Sequence, residues 1–124
     1  MRFFLFFVGL LSVVPCCAWA VVPTEEKPVA VLRALDKMTA RVAEIELETQ
    51  KSYTFGTLAI TVRSCRKTPP EETPEAAAFL DISEIKADEE EKIVFRGWMF
   101  ASSPALSAME HPVYDLWLMG CKSK

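Results

Sequence analysis

A chain of 124 residues with 17 acidic and 14 basic side chains carries a formal charge of −3, which leaves no electrostatic footprint for nucleic acid or for an anionic membrane surface. That length holds one folded domain and a leader, not two cores. With one histidine and four cysteines, neither a metal site nor a cofactor is expected.

Residues 1–20 have the grammar of an export leader. Arg2 supplies the positive end, Phe3 to Val14 form an uncharged apolar run, and Ala18-Trp19-Ala20 fits the small-x-small cleavage pattern. The run is shorter than the ~20 residues of a spanning helix, and Pro15 and a cysteine pair follow it. The expectation is cleavage after Ala20 and a periplasmic or secreted product with no transmembrane span. Lipoprotein anchoring through Cys16 or Cys17 fits poorly, because a small residue ordinarily precedes a lipidated cysteine and here Pro15 or Cys16 does.

Val21 to Pro28 is polar around two prolines and is expected as a flexible lead-in, with a single β domain over 29–124. From Val29 the pattern is two-fold: Val29, Val31, Arg33 and Leu35 alternate with small or apolar neighbours. Ile45 and Leu47 share one face against Glu44, Glu46 and Glu48. Alanine, glutamate and leucine also favour helix, but the period of two decides for strand. Tyr53 to Gly56 is expected as a turn or bulge, with Gly56 free to take positive φ. Thr57 to Cys65 is the strongest strand, with Leu58, Ile60, Val62 and Ser64 alternating against Ala59, Thr61, Arg63 and Cys65.

Arg66 to Glu75, rich in proline and glutamate, is expected as an exposed loop, and Ala76 to Ile85 as the next strand. Asp88 to Lys92 is an acidic turn. Three consecutive glutamates there lack the alternating ligand spacing of a calcium loop. Ile93 to Phe100 and Val113 to Cys121 are the last strands. Between them Ser103 and Pro104 suit a helix start, so Ala105 to Met109 is expected to make a short helix that His111-Pro112 ends. The predicted fold is mostly β, an antiparallel sandwich or small barrel of about six strands with one short helix before the last strand.

Once the leader is gone, Cys65 and Cys121 remain in an oxidising compartment. A bridge between them spans 56 residues, worth ~4 kcal/mol by loop entropy. Two buried free thiols are the alternative.

GWMFASSP, followed by EHPVYD and a closing cysteine, resembles the bacterial domain of unknown function 2155, a group of small exported proteins found mainly in alphaproteobacteria. The resemblance extends through LDKMTAR (Leu35 to Arg41), FGTLAITVRSC (Phe55 to Cys65) and TPEAAAF (Thr73 to Phe79), nearly the whole mature chain. It implies an exported single domain and transfers no catalytic residue.

The C-terminal block supplies the functional candidates. Ser102 or Ser103 with His111 and Asp115 has the residue types of a hydrolytic triad but no G-x-S-x-G elbow. Glu110 or Asp115 would be the acid partner of His111. Trp98 and Trp117 are expected as core anchors, with an exposed aromatic platform as the alternative. The favoured reading is a non-enzymatic binding or structural module for an envelope protein or lipid. Its candidate surface is Trp98, Leu106, Met109, Glu110, His111 and Tyr114, with Leu106, Met109 and His111 on a projecting element. A small serine hydrolase and a carrier of a small apolar ligand are the other readings.

Overall fold

The computed structural model describes residues 13–15, 22–103, 109 and 111–124. Eight strands follow in the order β1 (Glu25–Glu26), β2 (Val29–Asp36), β3 (Arg41–Glu48), β4 (Ser52–Phe55), β5 (Leu58–Lys67), β6 (Ala76–Glu84), β7 (Lys92–Phe100) and β8 (Tyr114–Lys122). They form two antiparallel sheets. The larger runs β1-β5-β6-β7, with β4 also paired to β5, and the smaller runs β3-β2-β8. The fold is mostly β, as the alternation indicates. Among the described residues it is an open sandwich of eight strands, so of the two expected architectures the small barrel does not hold, and about six strands is too few.

The two additional strands are the short ones. β1 lies inside the proline-flanked lead-in and pairs Glu25 with Lys67 and Glu26 with Arg66. β4 occupies Tyr53 to Phe55, where the sequence suggests a turn. The turn comes one step later, at Gly56-Thr57 between paired Phe55 and Leu58. Gly56 has φ +58° at the first central position, where a two-residue hairpin of the II′ kind needs positive φ. The β2–β3 turn explains the LDKMTAR segment in the same terms. The Asp36 carboxylate accepts hydrogen bonds from the Met38 and Thr39 amides at 2.9 and 3.3 Å, and Ala40 takes φ +56° before β3 resumes.

Alternate residues of both sheets fill the core. Leu58, Ile60 and Val62 of β5, Leu80 and Ile82 of β6 and Met99 of β7 face Leu32 of β2 and Leu118 of β8, all essentially without solvent exposure. Among the described residues three bulges interrupt this alternation, one of them at Val94 of β7, and the other two precede a cysteine. Ser64, not Arg63, pairs across β6 after Val62, so Arg63 is an extra residue. Likewise Leu118 pairs with Leu32 while Gly120 pairs with Val31, leaving Met119 extra. Strict alternation from Val62 puts Cys65 on the outer face beside Arg63. The bulge turns it inward instead, where it is bonded to Cys121 with the Cα atoms 5.8 Å apart. The disulfide joins the larger sheet to the smaller at one end of the sandwich.

The link from β7 to β8 is not a hairpin, because β7 edges the larger sheet and β8 edges the smaller. It begins where the Ala101 amide donates to the Ala76 carbonyl at 2.9 Å, at the start of β6, and ends at His111, bonded to Glu84 at the finish of β6. The connection therefore crosses from one end of the sandwich to the other. The short helix expected over Ala105 to Met109 falls on 104–108, outside the described residues. Met109 itself is not helical, and no helix occurs among the described residues. Accordingly none is long and apolar enough to cross a membrane.

Candidate functional site

Glu84 is the last residue of β6 and shares the inward parity of Ala78, Leu80 and Ile82, which leaves it 9% exposed. Its Oε2 accepts hydrogen bonds from His111 at 2.5 Å and from the Thr57 hydroxyl at 3.0 Å. Lys86 lies 3.5 Å from Oε1. Burial pushes the carboxyl up, but the hydrogen bonds from His111 and Thr57 and the nearby positive charge outweigh it, so Glu84 sits below its ordinary value. The imidazole is equally committed. Its Nδ1 accepts from the Val113 and Tyr114 amides at 3.0 and 3.2 Å, so Nε2 carries the proton and donates to Glu84. Lys37 then donates to the His111 carbonyl at 3.0 Å and pairs with Asp115 at 3.3 Å.

Tyr114 completes this cluster. Its ring lies 5.1 Å from His111 and meets Phe55 edge-on at 5.8 Å. Its hydroxyl accepts from the Thr57 amide at 3.3 Å and fills the space where a side chain at position 56 would stand. Glu84 belongs to the larger sheet and His111 leads into the smaller. The pair thus fastens the sheets at the end opposite the disulfide.

The serine candidates lie elsewhere. Ser102 donates its hydroxyl to Glu75, whose other oxygen accepts from the amides of Ser102 at 3.1 Å and Ala76 at 2.9 Å. Burial raises the Glu75 carboxyl, and these hydrogen bonds more than offset it, leaving the group below its ordinary value. Glu75 and Glu84 bracket β6, roughly 30 Å apart at ~3.4 Å per residue. Ser102 and His111 are therefore held at opposite ends of the molecule. Both ring nitrogens of His111 are occupied, and Asp115 pairs with Lys37 instead of the imidazole. No nucleophile–base pair is assembled from these residues.

The surface candidates divide as well. Met109 is 4% exposed and belongs to the core, and Tyr114 is 8% exposed; neither is displayed on a projecting tip. Leu106 and Glu110 lie outside the described residues. Trp117 is half-buried at the margin of the core, whereas Trp98, also expected as a core anchor, is 39% exposed. The register explains the difference. Trp98 pairs with Phe79, and two residues along Arg96 pairs with Asp81, all on the outer face of the larger sheet, while Met99 and Phe95 point inward.

That outer face carries an ordered set of aromatic and charged pairings. Trp98 packs edge-on against Phe79 with ring centres 5.5 Å apart, and the Arg66 guanidinium stands 5.9 Å from the Trp98 ring centre. Beside them Asp81 receives Arg96 on both oxygens at 3.2 and 3.3 Å and Arg63 at 3.6 Å. Ser83 donates to Glu91 at 2.5 Å. Arg63, the bulge residue, follows inward Val62 and so lies on this face. An open groove of about 360 Å³ runs between these side chains, with Thr61 and the 53% exposed Ile93 on its walls. A second open groove, of about 480 Å³, lies at the disulfide end between the proline loop and Met119. Among the described residues no three His, Cys, Asp or Glu side chains gather as metal ligands.

Sequence reasoning placed Trp98 in the right block but missed Glu84, Asp81 and the arginines. The one available signal for Glu84 is an acid in step with Ala78, Leu80 and Ile82. Comparison with known proteins gives a family and a relative. The family model described as "Uncharacterized protein conserved in bacteria (DUF2155)" matches residues 30–121. An uncharacterized protein of Rickettsia prowazekii (strain Madrid E) is 35% identical over 88 residues, covering 71% of this chain and 57% of the relative. The chain thus spans little more than half the length of that relative. No solved structure matches it significantly.

Proposed function

This chain belongs to the DUF2155 family of bacterial proteins, and from that premise we propose that it is an exported, non-enzymatic β-sandwich that docks a cell-envelope component on the outer face of its larger sheet. The observation that carries this reading is Trp98. The outer face of a sandwich sheet is ordinarily polar, yet here a 39% exposed tryptophan packs edge-on against Phe79 with the Arg66 guanidinium beside its ring. Tryptophan and arginine are the side chains that most often dominate binding energy, and the three strands beneath them form a preorganised platform. Export is proposed from the leader-like residues 1–20.

A photo-crosslinking residue placed at Ile93 in living cells tests the reading. A recurrent adduct is expected there, reduced by Trp98→Ala and absent from a matched probe at the equally exposed Val42 of the smaller sheet. Equal capture at both positions, or none at Ile93 in a correctly folded protein, refutes docking on this face.

A further inference from the structure

The groove beside Trp98 has a composition of its own. Its fixed charges are Arg63 and Arg96 against Asp81 and Glu91, so they balance. Each is held by a neighbour before any ligand arrives: Asp81 lies between the two guanidiniums, and Glu91 is held by Ser83. A phosphate or an acidic peptide would find the positive groups already paired, and a cation would find the same of the carboxylates. What stays free is hydrogen-bonding capacity. A guanidinium carries five N–H donors and a carboxylate about four acceptor positions. Arg63 and Arg96 each keep most of their N–H groups and Glu91 most of its acceptor positions, while Asp81, engaged by both arginines, keeps about one. Donors and acceptors therefore alternate across the strands at fixed spacing, without net charge.

The aromatic side of the site adjoins this polar one. Trp98 is two residues from Arg96 along β7, about 7 Å away at the usual strand rise. An indole face carries partial negative charge and attracts polarised C–H groups. A ligand suited to both halves is uncharged, bears hydroxyls in a plane and has a C–H face to lay on a ring. From these features we infer that the groove between β5, β6 and β7 binds a neutral oligosaccharide, whose hydroxyls bridge Arg96, Asp81, Arg63 and Glu91 while a neighbouring sugar ring stacks on Trp98. This rests on the outer face being the docking face and names the chemical class of its occupant. At about 360 Å³ and open to solvent, the groove is at the small end of ligand sites, so the dissociation constant is expected on the order of 1 mM.

The test is an NMR titration of the full exported chain, 15N-labelled, with two neutral probes, the N-acetylglucosamine tetramer and maltotetraose. Inorganic phosphate and a glutamate pentapeptide serve as anionic comparisons. The expected result is saturable movement of the Trp98 indole and the Arg96 side-chain resonances with at least one neutral probe; which probe acts separates amino-sugar from plain hexose chains. Binding should weaken at least tenfold in Trp98→Ala and in Arg96→Ala and be unchanged in Arg33→Ala on the opposite sheet. Should Trp98→Ala unfold, Arg96→Ala and Asp81→Asn, both at the surface, decide alone. The inference is overturned by no saturable shift with either sugar, by shifts with the anions alone, or by binding that survives Arg96→Ala. A protein adduct at Ile93 in cells without sugar binding in solution also overturns it, while leaving the docking face standing. Loss of both removes the docking face as well.

Discussion

Replacing His111 with alanine removes one end of the sandwich's polar fastening, and the structure fixes the expected cost. The bond from Nε2 to Glu84 is a hydrogen bond to a charged acceptor with 8% and 10% side-chain exposure on its two partners, worth about 2 kcal/mol. The Val113 and Tyr114 amides lose their acceptor at Nδ1. They are only partly buried, so water recovers some of the loss and each costs about 0.5–1 kcal/mol. The ring contact with Tyr114 adds about 0.5 kcal/mol. His111→Ala should therefore destabilise by roughly 4 kcal/mol, a fall in Tm of about 20 °C for a domain of this size. Glu84→Gln keeps the shape and an acceptor for Nε2–H and should cost only about 1 kcal/mol, since a neutral bond is about half as strong. The two variants also separate by pH. The Glu84 carboxyl is depressed in the folded state, so its contribution is fully present above its unfolded value, about 4.3, and is lost as pH falls through its lower folded value. Urea denaturation between neutrality and the acid limb should show wild type losing more stability than Glu84→Gln over that range. Equal losses in the two proteins, or a His111→Ala variant within about 1 kcal/mol of wild type, would refute the latch.

The disulfide closes a 56-residue separation, so Cys65→Ala/Cys121→Ala should lower unfolding free energy by about 4 kcal/mol, measured by urea melts against the oxidised wild type. Deleting Arg63 leaves Val62, Ser64 and Cys65 in regular alternation opposite Leu80, Phe79 and Ala78, so Cys65 stays inward. The disulfide should form in the deletion as in Arg63→Ala; free thiols in either variant, counted by mass spectrometry, contradict this register. Gly56→Ala meets both positive φ and the Tyr114 hydroxyl, a cost of about 3 kcal/mol. Tyr114→Phe should recover part of it, and a fully stable Gly56→Ala contradicts the packing. The exported product should have an intact mass beginning at Val21, and a lipid-modified product beginning at Cys16 or Cys17 would overturn the proposed processing.

Legibility in this chain follows the range of the physical signal. The alternation of Leu58, Ile60 and Val62 is local, and it identified β5 and its inward face. β1 and β4 are hard to read locally, because two residues cannot alternate and Ser52 to Phe55 is only four residues long with one buried side chain, Phe55; pairing with β5 is what makes them strands. FRGWMF is equally opaque. Phe95, Trp98 and Met99 are all apolar, and only the register against Phe79 and Asp81 says that Trp98 faces outward. His111 found its acid partner 27 positions away in Glu84, not in neighbouring Glu110 or Asp115, since antiparallel layering brings together residues that sequence distance separates.

The bulges carry this point further, because they tie covalent structure to the proposed docking face. An extra residue in β5 turns Cys65 inward toward Cys121 and in the same step leaves Arg63 outside, against Asp81. The extra residue thus contributes a charge to the outer groove while the irregularity around it keeps Cys65 facing Cys121. Substitution and deletion of Arg63 both alter the groove, and the alternation from Ser64 onward keeps Cys65 inward in either case. A fold held at one end by Cys65–Cys121 and at the other by Glu84–His111 keeps its two sheets in fixed register, and the larger sheet can then hold Trp98, Arg96 and Asp81 at constant spacing. The polar and covalent fastenings lie away from the outer face. His111 is therefore better understood as a residue that holds the platform than as one that meets the ligand, and its loss should lower stability without changing which partner binds.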